Sequence, residues 1–136
     1  MCIVPNGRRC YCGRQGHFDA YCSALLLAEE SKAGTVESFF EELDQGVAAR
    51  EKFFDEYLEY LALMVYNLHT AYDFPVVLGG YVGNHLEKYL PRLKEKVKKL
   101  DLFGEEKEFI YFCHYSVEGA AVGSARYFIE KFIGDL

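Results

Sequence analysis

Apolar residues recur with a helical period through most of this chain and run together over two short stretches. Tyr21, Ala24, Leu25 and Ala28 are spaced for a helix over residues 20–30, broken by Glu30-Ser31-Lys32-Ala33-Gly34. Val36, Phe39, Phe40 and Leu43 share a face of a second helix, with Thr35 placed to cap its first amides and Gly46 to end it. Phe54, Leu58, Leu61, Val65, Leu68 and Tyr72 alternate steps of four and three, which predicts a long core-facing helix from Val47 to Tyr72.

Asp73-Phe74-Pro75 stops that helix, because the residue before a proline is pushed out of the helical region. Val76-Val77-Leu78 then reads as a buried strand ending at Gly79-Gly80. Asn84-His85-Leu86-Glu87 has the form of a capping box opening a helix to about Leu100. A loop over 102–107 and an aromatic strand over 108–113 follow, and a terminal helix starts near Glu118. At the other end, Cys2-Ile3-Val4 before Pro5-Asn6-Gly7 predicts a short edge strand and a turn. The pattern is that of a helix-rich α/β domain with a small sheet.

Composition narrows this. The 136 residues suit one domain over 1–136, and 51% apolar residues suffice for a core. A net charge of −6 excludes a nucleic-acid surface on this chain, since phosphate neutralisation needs concentrated Lys and Arg. The basic stretch from Lys88 to Lys99 is diluted by Glu87, Glu95 and Asp101 and reads as a solvated helix face. The sequence shows neither a membrane span nor a secretory signal, which points to the cytoplasm.

The chemistry gathers at residues 8–22. Cys10, Cys12 and His17 place two thiols and an imidazole within eight residues, with Gly13 and Gly16 allowing a tight return. In an acidic chain with five cysteines, such spacing reads as a metal knuckle rather than a disulfide framework. A structural zinc site takes four ligands; the fourth lies elsewhere in space or upstream, and Cys2, which reads first as a strand-packing residue, is close enough in sequence to stand in. Cys22 and Cys113 read as core thiols. His69, His85 and His114 lack a partner at ligand spacing and read as packing residues. Asp19 sits where a helix start would favour a carboxylate.

Residues 6–21, Asn-Gly-Arg-Arg-Cys-Tyr-Cys-Gly-Arg-Gln-Gly-His-Phe-Asp-Ala-Tyr, resemble the zinc signature N-G-x-x-C-x-C-G-x-x-G-C-x-E-A-Y of the ROK family of repressors, open reading frames and sugar kinases. His17 stands for the third Cys and Asp19 for Glu, ligand for ligand and carboxylate for carboxylate. Two further stretches resemble the family: 61–83, with Asn67, Asp73 and Val-Val-Leu-Gly-Gly, and the small-residue helix opening near 118–125.

The resemblance implies an actin-like, ribonuclease H-like C-terminal lobe, with Cys10, Cys12 and His17 holding Zn²⁺. Asp19 would accept hydrogen bonds from sugar hydroxyls, and Gly79 and Gly80 would border the nucleotide. The small residues near 118–125 would let the terminal helix pack against the sheet. It also implies a homodimer and, in the intact parent, ATP with Mg²⁺. The family's D-x-G-G-T phosphate loop and catalytic Asp belong to an N-terminal lobe and do not occur here, so this chain reads as the C-terminal half of a ROK protein. Tyr81 replaces the third glycine that the kinases keep, and a phenol there crowds a phosphate. On that ground the reading leans to the sugar-binding lobe of a sugar-responsive transcriptional regulator. The alternative is the C-terminal lobe of an ATP-dependent kinase of the glucokinase or N-acetylhexosamine kinase type.

Overall fold

The computed structural model describes residues 1–100, 108–115 and 118–134. Its axis is the 25-residue helix α3 (Ala48–Tyr72), against which α2 (Val36–Asp44) and α5 (Leu90–Leu100) pack, with α1 (Ala24–Glu30) lying on α2. The strands β1 (Val76–Leu78) and β2 (Ile110–Phe112) pair in parallel, Val76 with Ile110 and Leu78 with Phe112. Between them in sequence lie α4 (Gly80–Leu86) and a 3-10 turn at Glu87–Tyr89, and α6 (Gly119–Gly134) closes the described chain. Among the described residues no helix is long and apolar enough to cross a membrane.

The core follows the stripes predicted for α2 and α3 but not that for α1, where Leu25 is 62% exposed and Leu27, outside the predicted stripe, takes the core position. Leu27, Phe39, Phe54, Leu58, Val65 and Leu93 are fully buried. Phe54 is the hub of an aromatic cluster, edge-on to Phe40 at 5.6 Å and to Tyr89 at 4.7 Å. The α3 stripe ends one turn early, because Leu68 is only half-buried and Tyr72 is exposed. Lys99 pairs with Glu95 within α5, whereas two other basic residues of α5 meet carboxylates of α3: Arg92 pairs with Glu51 at 3.2 Å, and Lys96 with Asp55 at 2.8 Å. These cations belong to a helix–helix seam and offer no polyanion surface.

Thr35 caps α2, its Oγ1 accepting from the Ser38 amide at 3.1 Å, as its position predicts. Five elements depart from the sequence reading. The strand over 76–78, expected to be buried, is half-buried at Val76 and Leu78 and exposed at Val77, because one face of this two-stranded sheet meets no described element. The edge strand over 2–4 shrinks to a single bridge between Cys2 and His17, because the Pro5-Asn6-Gly7 turn closes at once through the Gly7 amide and Val4 carbonyl. The first helix starts at Ala24, not Ala20, after a 3-10 turn at Phe18–Ala20. Asn84 does not open a helix but lies inside α4. The break comes at Glu87–Tyr89, since Pro91 has no N–H for the Glu87 carbonyl and the Leu90 amide takes it three residues on. Finally, α6 does not pack on the sheet along its length: none of its residues is buried. The 102–107 loop lies outside the described residues.

Candidate functional site

The N-terminal loop folds back on itself through main-chain hydrogen bonds. The Cys10 amide donates to the Arg14 carbonyl at 2.7 Å, the Gly13 amide to Cys10 at 2.9 Å, and the Gly16 amide to Arg8 at 2.9 Å. Two positions demand glycine. Gly13 turns the tip at φ +85°, and Gly16, at φ +76°, passes so close to the first residues that a Cβ would lie 1.8 Å from the Val4 carbonyl oxygen. The loop is fastened to α3 by Arg8, whose guanidinium meets Glu56 at 2.6 Å and whose amide donates to the Tyr21 hydroxyl at 2.6 Å. Tyr21 is itself buried against Tyr60.

This fastening brings the three predicted ligands together. The ligand atoms of Cys10, Cys12 and His17 lie within 4.8 Å of one another, with Cys12 Sγ and His17 Nδ1 3.2 Å apart. A tetrahedral zinc with two thiolates and one imidazole sets edges of about 3.6–3.8 Å. The donor set therefore fits Zn²⁺ with little movement. Cys10 is buried, His17 half-buried and Cys12 exposed, so the cluster opens to solvent on the Cys12 side. A hydrogen bond from the Arg14 amide, with the Arg14 and Cys10 side chains assisting, lowers the Cys12 thiol below the usual range and favours the thiolate a metal needs. No fourth group joins the cluster among the described residues. Cys2, the stand-in suggested by the sequence, turns toward the Gln15 carbonyl at 3.8 Å.

Asp19 lies two residues beyond His17, in the 3-10 turn, and its side chain is exposed. It does not cap the first helix. Ser23 does so, its Oγ accepting from the Leu26 amide at 3.3 Å. The signal for this was present in the sequence, since a serine directly before Ala24-Leu25-Leu26 is a start signal as good as the aspartate four residues earlier.

Gly79 and Gly80 stand at the carboxyl end of β1, the position where α/β sheets receive ligands. A Cβ on Gly79 would meet Cys113 Cβ at 3.0 Å, and Gly80 opens α4 at φ +72°, so both are fitted to glycine. Tyr81 follows with its ring exposed.

Of the other histidines, His114 is exposed and not the packing residue its sequence context predicts, while the remaining two pack on aromatic rings. His69 stacks on Phe109 at 3.8 Å and His85 on Phe40 at 4.6 Å. Cys22 is buried and hydrogen-bonds the Tyr57 carbonyl, and Cys113 is half-buried. Glu42, which sequence pattern did not single out, is buried on α2 and accepts from the Lys32 amide at 2.7 Å, Ser38 Oγ at 3.2 Å and Arg50 Nε at 3.0 Å. Position 42 lies off the apolar stripe of its helix, so helical spacing predicts an exposed charge there and only its distant partners account for its burial.

The sequence model of the ROK family matches residues 1–131. Among solved structures, the chain is similar to a ROK family glucokinase from Streptomyces griseus in complex with glucose and AMPPNP, at 21% identity and a TM-score of 0.76 over 93% of this chain. It is equally similar in fold to a ROK hexokinase from Thermus thermophilus, at 23% identity and a TM-score of 0.76 over 92% of this chain. The chain spans 49% and 45% of those two chains, about half their length. No curated protein sequence matched.

Proposed function

The chain belongs to the ROK family, and from that premise we propose that it forms the C-terminal lobe of a ROK sugar kinase. Both solved relatives are sugar kinases, which supports this alternative over the regulator reading that Tyr81 favoured. Tyr81 weighs less in the folded chain, because its exposed ring has room to turn aside for a ligand.

Asp19 is the sugar contact. The observation that carries this is an exposed carboxylate with no capping task, on a turn that begins at a residue of the metal cluster. Ionised, it accepts charge-assisted hydrogen bonds from sugar hydroxyls. Being one methylene shorter than the family's Glu, it reaches the sugar by a closer approach or through one water. Cys10, Cys12 and His17 would hold Zn²⁺, whose chemistry is structural: it cross-links the loop and thereby limits the motion of the Asp19 turn. Gly79 and Gly80 form a wall for the nucleotide of the complete cleft. The phosphate loop and catalytic base belong to the N-terminal lobe, so the purified chain is expected to phosphorylate no hexose in an ATP-coupled assay. The homodimer implied by the family resemblance goes with this reading.

Amide chemical-shift mapping of the purified chain tests it. Glucose is expected to shift resonances of residues 17–24, weakly and only while Asp19 is present, and MgATP those of residues 78–83. Absence of a glucose effect, or one that survives Asp19→Ala, would overturn the sugar contact. A glucose effect through Asp19 with residues 78–83 unmoved by MgATP would return the chain to the regulator reading.

A further inference from the structure

The cluster of Cys10, Cys12 and His17 is one ligand short of a structural zinc site, which takes four. Across from His17 stands Cys2. The Ile3 amide donates to the Gly16 carbonyl at 2.8 Å and the Phe18 amide to the Met1 carbonyl at 2.9 Å, so these two bonds flank an antiparallel bridge between Cys2 and His17. In a bridge flanked in this way the two residues exchange no hydrogen bond with each other, and their side chains stand on one face with Cβ atoms about 4.5–5.5 Å apart.

That spacing suits a shared metal. Zinc holds a thiolate sulfur at about 2.3 Å and an imidazole nitrogen at about 2.0 Å, which sets the two about 3.6 Å apart, within what a cysteine and a histidine on opposed Cβ atoms can span. The Cys2 thiol is exposed and has little to give up, since its contact with the Gln15 carbonyl, at 3.8 Å, is long even for a weak S–H donor. It also has room to turn. Its sulfur lies over Gly16, where a Cβ would stand 3.1 Å from it, so the residue beside His17 puts no side chain in the way. The other thiols have no such access: Cys22 is buried on the Tyr57 carbonyl, and Cys113 lies just past β2, beside Gly79.

We propose that Cys2 is the fourth ligand, turning from the Gln15 carbonyl onto the metal so that Cys2, Cys10, Cys12 and His17 form a set of three cysteines and one histidine, one of those that close a structural zinc site. This rests on reading Cys10, Cys12 and His17 as holding Zn²⁺. The metal then ties the segment before Pro5 to the loop, besides closing the loop on itself, and leaves no position for water or substrate. Because Cys2 must give up its own contact to ligate, the set is completed only as the metal binds, and affinity stays below that of four preset ligands.

The test is zinc-edge X-ray absorption of the whole chain, purified without added thiols, together with chelator competition and sedimentation. Wild type is expected to show three sulfurs and one nitrogen around zinc in a monomer. Cys2→Ser is expected to show two sulfurs and an affinity lowered at least about tenfold, the least that loss of a ligand's own hydrogen-bond partner costs. Cys2→His should restore most of that affinity with the count still at two sulfurs, which replacing a mere packing side chain would not do. The side chain is exposed, so neither substitution is expected to change the circular dichroism. Two sulfurs in wild type, or an affinity indifferent to Cys2→Ser, would overturn the proposal. So would three sulfurs in a zinc-linked dimer, which would assign the fourth ligand to a second copy. A wild-type chain that takes up no zinc would overturn the metal reading and the proposal with it, whereas zinc held by two sulfurs removes Cys2 alone, so the two failures are told apart.

Discussion

Replacing Ser23 and Asp19 by alanine, each alone, separates the residue that starts the first helix from the residue free to meet a ligand. Ser23 is extended at φ −132° and its Oγ accepts from the Leu26 amide. Loss of a serine cap costs about 0.5–2 kcal/mol, and the 3.3 Å contact, at the long end for N–H···O, places this one in the lower half of that range. At about 1 kcal/mol, a domain of this size loses about 3–5 °C in Tm. Asp19 is exposed, lies outside α1 and caps no turn, so Asp19→Ala is expected to stay within about 0.5 kcal/mol of wild type. Urea unfolding followed by circular dichroism measures both, with equal m-values as the check that only the folded state has changed. An Asp19→Ala cost equal to or above that of Ser23→Ala would refute the assignment. The carboxylate would then hold the turn, and its claim on sugar would fall with it.

Three further outcomes are expected. The chain should carry up to one zinc, bound more weakly than by a closed four-ligand site and released as falling pH protonates the thiols. Chelation should loosen residues 8–22 before the core, and zinc retained by Cys10→Ser/Cys12→Ser in elemental analysis would refute the site. Glu42 is held below the usual glutamate range first by the Lys32 amide and then by Arg50 and Ser38. Its contribution is present above that range and lost as pH falls through the depressed folded value, so Glu42→Gln should lower stability at neutral pH and flatten the acid limb. Parallel limbs for wild type and variant would count against the network. Burial pushes the Cys22 thiol far up, so the folded chain keeps a proton that the unfolded chain loses above about pH 8.5. Stability should therefore decline with rising pH from there, and Cys22→Ala should lessen the decline in urea titrations. An unchanged alkaline slope would refute it.

Helices over 36–44 and 48–72 were legible because each carries a one-sided apolar stripe bounded by residues with a single local reading: Thr35 as a cap, Gly46 as a stop, Phe74-Pro75 as a break. The meeting of Cys10, Cys12 and His17 was legible for the same reason, since they are close in sequence and the glycines between them turn the chain within that span. The first helix start was misread because Asp19 and Ser23 both carry start chemistry, and the spacing of apolar residues does not choose between them. At 84–91 the capping pattern was present, but the helix already under way from Gly80 and the missing amide of Pro91 overrode it.

By itself the sequence determined the class of the domain, the faces of its long helices, the grouping of Cys10, Cys12 and His17 and the family, all of which depend on residues within a turn or a loop of one another. Only the tertiary structure decided the rest. It released Asp19 from capping by giving that task to Ser23, and it matched the α5 cations with α3 carboxylates. It buried Glu42 among its donors and left α6 and one face of the sheet bare. These are relations between segments far apart in the chain. Local spacing carries no record of them, because whether a charge is paired or an apolar face is covered depends on which distant surface arrives there.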